Sequence, residues 1–426
     1  MALVKPFKGV RFNTEKAGKI NELVCPPYDI ISETQRKQYI DTNENNIIRL
    51  ELPKGENPYE AAKEILSRWQ SNGILKTEEK PAIYIYEEEF TAYGEREKIK
   101  GIIVRVKIEE FEKGIILPHE FTLSKAKEDR LNLMKATNFN FSQIYSLYMN
   151  EGKDTAKKID ELSNTTPQIE ITDGEGVVHR LWIITDEAAT ADICSDFDTR
   201  KLYIADGHHR YETALNYRNY LRETKSEKMG AASDYQMMML VDMEHPGLVV
   251  FPTHRLVKNL QSFNASSAID ACKDYFEVTE KEDVSTIEAE LDVLYKQNKK
   301  AFAFYNGGSK WTLLVLKSIE RMKALLPNAS EATQGLDVTV LHTLILEKLF
   351  GIDAENMANQ TNLTYTKIFD EAIESVKNGK AQCAFILNPT RVTEIRDVAS
   401  AGEKMPQKST YFYPKMITGL VMNEIV

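Results

Sequence analysis

YIADGHHRYETAL, Tyr203 to Leu215, changes its period in the middle. Lys201–Ala205 is a short apolar run of strand composition. Downstream, Tyr211, Ala214, Leu215 and Leu221 fall on one face of a helix that starts at about His208. Asp206-Gly207 joins the two, and Gly207 admits a positive φ or a close approach of backbone to a ligand. A strand that enters a helix this way presents the free N–H groups of the first turn to an anion, and the helix dipole adds to the attraction. Arg210 can grip phosphate oxygens with two parallel hydrogen bonds. His208 and His209 diverge by roughly 100° on a helix, so one can face a ligand while the other packs or orients a carboxylate. Asp206, at the carboxyl end of the strand, could hold a metal ion, Mg2+, or accept a proton. The plainer alternative is an ordinary N-cap at Asp206 with two surface histidines.

Outward from this elbow the elements alternate irregularly. PYEAAKEILSRWQSNGIL has helical spacing at Ala61, Ala62, Ile65, Leu66 and Trp69, with a stop at Asn72-Gly73. The run from Ala82 to Phe111 predicts a hairpin turning at Tyr93-Gly94-Glu95. SKAKEDRLNLMKATN predicts a helix with Ser124 as N-cap. RLWIIT, YQMMMLVDM and KWTLLVL predict strands, whereas Ser262–Tyr305 shows helical patterns broken by charge runs. TVLHTLILEKLFGI predicts a helix that stops at Gly351. Hairpins mixed with helices predict an α+β (mixed α/β) fold, not a doubly wound sheet of regular βαβ units. The expected organisation is an N-terminal α/β region 1–110 packed on a core 111–245, and a C-terminal α/β region 246–426. Linkers are expected near Gly152 and Pro246.

The 426 residues are 42% apolar, enough for a large core, and carry a formal net charge of −10. That balance disfavours diffuse binding to nucleic acid or an anionic membrane. Cys25, Cys194, Cys272 and Cys383 form no C-x-x-C pair, which argues against a zinc site and for a reduced, cytoplasmic setting. No apolar run is long enough to span a bilayer, and MALVKPFKGVRF lacks a signal-peptide h-region. A homodimer is compatible with the sequence.

Three further strings bear chemistry. ILPHEF places His119 and Glu120 after a strand-like run, where Glu120 could deprotonate an attacking hydroxyl and His119 could orient it; a solvated loop glutamate is the alternative. SKAKEDRLNLMKATN offers Lys127, Asp129 and Arg130, with Arg130 able to bind phosphate or a substrate carboxylate unless the helix face is simply solvated. MPQKSTYFYPK sets Lys408, Ser409 and Thr410 between prolines, with Lys415 just after the second, a lysine-plus-hydroxyl grouping suited to phosphate but without the Walker A pattern; a Pro-bounded edge strand is the alternative. Cys25, in VCPPYDII, has no basic neighbour in sequence and is read as structural. His179, His245, His254 and His342 are isolated in sequence and are read as packing or surface residues.

Together, D-G-H-H-R after a strand, the upstream P-H-E and the C-terminal P-Q-K-S-T resemble the free-serine kinases of the ParB/sulfiredoxin superfamily. Over nearly its full length the chain also resembles the prokaryotic family known as domain of unknown function 1015, on CPPYD, NIIRLELP, PHEFT, KEDR, ADGHHRYETAL and MPQKSTYFYPK. The resemblance implies a ParB/sulfiredoxin-like core with large N- and C-terminal additions. It implies ATP or ADP with Mg2+ as cofactors, and L-serine or O-phosphoserine as the small-molecule partner. In that reading Glu120, Asp206, His208 and His209 are catalytic. Gly207, Arg210, Lys408, Ser409 and Thr410 hold the nucleotide, and His119 and Arg130 bind the substrate. Two rivals remain: a nucleotide-binding (CTP or ATP) switch of the ParB type without metabolic catalysis, and a non-catalytic scaffold. No basic helix-turn-helix supports the switch.

Overall fold

The structure, a computed structural model, describes residues 1–122, 124–224 and 231–425. The chain forms two compact units. One comprises Met1–Pro118, Thr122–Val249 and Pro414–Val426; the other comprises His119–Phe121 and Val250–Tyr413.

The first unit is built on a mixed nine-stranded sheet. Its order runs Ile116–Leu117, Leu202–Asp206, Ile144–Tyr148, Tyr235–Asp242, Glu95–Lys107, Ile83–Ala92, Val178–Ile184 and Ile169–Thr172, with Val4–Lys5 also pairing with Glu95–Lys107. The expected hairpin forms: Ala92 pairs with Glu95, and Tyr93 and Gly94 both have positive φ, 51° and 81°, as a two-residue turn matching the strand twist requires. Tyr235–Asp242 is buried at every position, as its apolar run predicts for a central strand. Two pairings are parallel, Leu202–Asp206 with Ile116–Leu117 and Tyr235–Asp242 with Ile144–Tyr148, while the rest of the sheet is antiparallel. The mixed α/β class is thus as expected.

Sheet residues such as Ile85, Ile102, Val104, Ile204 and Leu240 share one core with Tyr211, Ala214 and Leu215 of the helix His208–Thr224. The N-terminal segments form a second cluster in the same unit, in which Phe12, Ile48, Leu50 and Trp69 of Pro58–Ser71 pack with Leu133, Phe139 and Met422. The turn at Glu151–Gly152 lies inside this unit. Ser124 begins the helix Ser124–Thr137, but its expected capping side chain lies outside what the structure describes.

The second unit carries a six-stranded antiparallel sheet. Its order is Phe276–Lys281, Trp311–Leu316, Ala301–Tyr305, Cys383–Ile386, His254–Val257 and Leu363–Thr366. Phe276–Lys281 is a strand where only broken helical patterns are legible. It is an edge strand in which Glu277, Thr279 and Glu280 are exposed, so polar residues reach both faces and its period-2 apolar signal is weak. The expected helix through TVLHTLILEKLFGI is regular over Asp337–Leu341, then widens to a π-helical turn over His342–Glu347 before Gly351 (φ 67°). Leu344, Ile345 and Leu346 are consecutive and all fully buried, a demand that one face of a regular helix does not meet.

Candidate functional site

In the first unit, the strand Leu202–Asp206 ends where Gly207 takes φ 94°. A Cβ there would lie 2.9 Å from Arg210 Nε, so the position requires glycine both for its backbone and for the space Arg210 fills. The helix starts at His208, as the sequence predicts.

Asp206, half-buried, is the electrostatic centre of this corner. Its Oδ2 accepts from Arg210 Nη2 at 2.9 Å, and its Oδ1 accepts from Lys415 Nζ. Burial by itself raises the Asp206 carboxyl, but the charges of Lys415 and Arg210, with a smaller contribution from His208, override it and hold it well below the usual carboxylate range. Arg210 Nη1 also donates to the Gln143 carbonyl, which fixes the fork. His208 is buried and His209 half-buried.

Arg130 belongs to the same unit and is buried, so the Lys127–Arg130 stretch is no freely solvated helix face. Its Nη1 donates to the Glu51 carbonyl at 2.6 Å, its Nη2 pairs with Asp129 at 2.6 Å, and its guanidinium stacks 4.2 Å from the Tyr28 ring centroid. Lys127 pairs with Glu212 of the neighbouring helix at 2.6 Å. A small cavity of about 40 Å3 is lined by Arg130, Arg210, Glu51, Ser142, Thr213 and Gln236, among others. The buried Glu51 accepts from Ser142 Oγ at 2.9 Å. Burial pushes its carboxyl up, although Arg130 and Arg210 pull it back. The CPPYD and NIIRLELP strings therefore supply Tyr28 and Glu51 to the surroundings of the two arginines. Cys25, from the first string, is buried, and burial pushes its thiol well above the ordinary value, in keeping with a structural role.

In the second unit, two strings almost 300 residues apart in sequence lie side by side. Met405 N donates to the His119 carbonyl at 2.8 Å, and Glu120 bridges to Met405 in parallel. His119 is buried, with Nε2 3.0 Å from Thr410 Oγ1. Glu120 is half-buried, and its Oε1 lies 3.4 Å from the Lys408 backbone N–H. Lys408 is exposed and takes a left-handed conformation, φ 57°. Ser409 is buried, its hydroxyl turned inward to the Pro406 carbonyl at 2.5 Å.

Sequence reasoning missed two features. Lys415 is the cation that completes Asp206, yet nothing local marks it apart from its place in the C-terminal string. His179, expected to be isolated, sits in a buried charged cluster: Nδ1 is 2.7 Å from Tyr86 Oη, Nε2 is 3.2 Å from Asp173 Oδ2, and Glu88 lies 3.5 Å away. Strand register causes this, because His179 pairs directly with Glu88.

Among the described residues, no group of three or more His, Cys, Asp or Glu side chains is placed to hold a metal ion. Both Asp206 oxygens are engaged by cations, so this arrangement does not fit a protein-held Mg2+. Among the described residues, no helix is long and apolar enough to cross a membrane.

A family model described as "Protein of unknown function (DUF1015)" matches residues 4–339. No curated protein matches the chain. Among solved structures, it is similar to a free serine kinase variant in complex with AMP, at 12% identity and a TM-score of 0.38, covering 76% of this chain and 91% of that one. A conserved hypothetical protein from Pyrococcus furiosus gives 14% identity and a TM-score of 0.36, covering 76% and 95%. SbnI with a C-terminal truncation, from Staphylococcus aureus, gives 10% identity and a TM-score of 0.36, covering 74% and 85%.

Proposed function

This chain belongs to the DUF1015 family, and on that premise we propose that it is a phosphotransfer enzyme acting on a small hydroxylated metabolite, with L-serine or O-phosphoserine as substrate and ATP or ADP as nucleotide. The observation that carries the reading is the Asp206 corner. A carboxylate held ionised fixes Arg210 and Lys415 beside a glycine-opened helix N-terminus, an arrangement suited to phosphoryl oxygens. Leu117, just before Pro-His-Glu, pairs in parallel with Tyr203, just before the Asp-Gly turn.

In the proposed reaction the substrate hydroxyl oxygen attacks phosphorus, its proton passes to Glu120, and the bond from phosphorus to the nucleotide's leaving oxygen breaks. His208, His209, Arg210 and the helix N-terminus offset charge developing on the phosphoryl oxygens. Asp206 holds the cations in place. Lys408 and Thr410 close over the phosphates, Ser409 shapes their loop, and His119 and Arg130 serve the substrate. Mg2+ would travel on the nucleotide phosphates, where such ions usually keep most of their ligands. In the reverse direction the same groups would release serine from phosphoserine.

The test incubates the protein with Mg2+, nucleotide and a panel of hydroxy amino acids and their phosphates, and follows phosphorus by NMR. Phosphoryl transfer is expected, and Glu120→Gln should lower turnover by about 10²–10⁴-fold while nucleotide affinity persists. Nucleotide binding without any transfer would replace this reading with the ligand-operated switch. No binding at all would leave a scaffold.

A further inference from the structure

The second unit contains a buried cation that the proposed reaction does not use. Arg255, on the strand His254–Val257, is 1% exposed, and among the described residues it has no carboxylate partner. Burial pulls its pKa down to about 10, with only a small opposing effect from Tyr365. An uncompensated buried guanidinium is costly unless hydrogen bonds replace those lost to water. Here each of its three nitrogens has an acceptor. Nε donates to His342 Nε2 at 3.3 Å, Nη1 to the Thr253 carbonyl, and Nη2 to the Lys408 carbonyl at 3.0 Å. His342 accepts because burial and Arg255 keep its ring neutral.

The carbonyl that Arg255 grips belongs to the residue in the left-handed conformation, and the amide of that same residue faces Glu120. A side chain at φ 57° is strained and needs surrounding structure to hold it. Thr390 makes a second tie one residue on, with Oγ1 donating to the Ser409 carbonyl at 2.7 Å. We infer that Arg255 is a positioning residue: its fork locks Lys408 in the left-handed conformation, which aims the Lys408 N–H at the Glu120 carboxylate and sets the direction of the Lys408 side chain. This inference rests on the proposed roles of Glu120 and Lys408.

Arg255→Lys keeps a positive charge but cannot reach His342, Thr253 and Lys408 together. The experiment measures kcat, KM for nucleotide and Tm for this variant and for Val257→Ala, a buried change on the same strand at a position paired with Leu363 and Cys383. Arg255→Lys should lower kcat by roughly 10–100-fold, the cost of a misplaced reacting group, with KM within about twofold. Val257→Ala should lower Tm and spare kcat. Unchanged kcat in Arg255→Lys, or an equal loss of kcat in Val257→Ala, overturns the inference. If the unsubstituted protein transfers no phosphoryl group, the proposed function fails on its own account. Hydrogen exchange then decides for Arg255: selectively faster exchange over residues 405–410 in Arg255→Lys supports the lock, and unchanged exchange there refutes it.

Discussion

His179 should make the first unit sensitive to alkaline pH. Its ring is 1% exposed and lies between Tyr86, which passes a hydrogen bond on to Glu88, and Asp173. Burial works against the charged ring, but the hydrogen bonds to Asp173 and Glu88 prevail and hold its pKa up to about 9. The rise from 6.5 to about 9, at roughly 1.4 kcal/mol for each pH unit, is worth ~3 kcal/mol. Because the folded value is raised, this stabilisation is fully present below about pH 6.5 and is lost as pH rises through about 9. Above that point the neutral ring has one N–H for two carboxylates, and Glu88 Oε2 already lacks a hydrogen-bond partner among the described residues. For a domain of this size the loss amounts to a fall in Tm of about 6–12 °C. The assay is thermal or urea unfolding of the unsubstituted chain and His179→Gln between about pH 6 and about pH 9.5. The gap between the two proteins should narrow by ~3 kcal/mol across that range. A gap that stays constant would show that His179 is not charged in the folded protein and would refute the reasoning.

Two predictions concern the Asp206 corner. Gly207→Ala forces a side chain into φ 94° and against Arg210, so it should cost about 1–2 kcal/mol in urea unfolding and blunt the thermal shift given by ATP or ADP; a variant matching the parent in both would remove the tight turn from the site. Lys415→Met leaves Asp206 with Arg210 alone, so the carboxyl should move up toward its ordinary value, stability should fall by about 1–3 kcal/mol, and nucleotide should bind more weakly. Unaltered unfolding and unaltered nucleotide response in Lys415→Met would separate that lysine from the corner.

The parts of this molecule legible in the sequence are those written locally. Strand composition, one glycine and a helical face within Lys201–Leu221 give the elbow, and Tyr93-Gly94 gives the hairpin. The charge partners are not written locally. Lys415 is one of 54 basic residues and reaches Asp206 only because the chain returns to the first unit. His179 meets Glu88 through strand register, and Arg255 meets Lys408 across 153 positions. Arg130 illustrates the intermediate case: its helix was readable, but its burial beneath Tyr28 depended on contacts that no helical pattern contains.

The return of Pro414–Val426 to the first unit has a consequence for biogenesis. Asp206 leaves the ribosome 209 residues ahead of Lys415, an interval of roughly 10–40 s at ordinary elongation rates. Until then the nascent chain has Arg210 to offset Asp206, and Val10 and Phe139–Asn140 lack the backbone partners that Met422 and Asn423–Glu424 later provide. Completion of the Asp206 corner therefore waits for the synthesis of Lys415, and a chain interrupted before it would yield a product whose sheet can form but whose charge pair cannot.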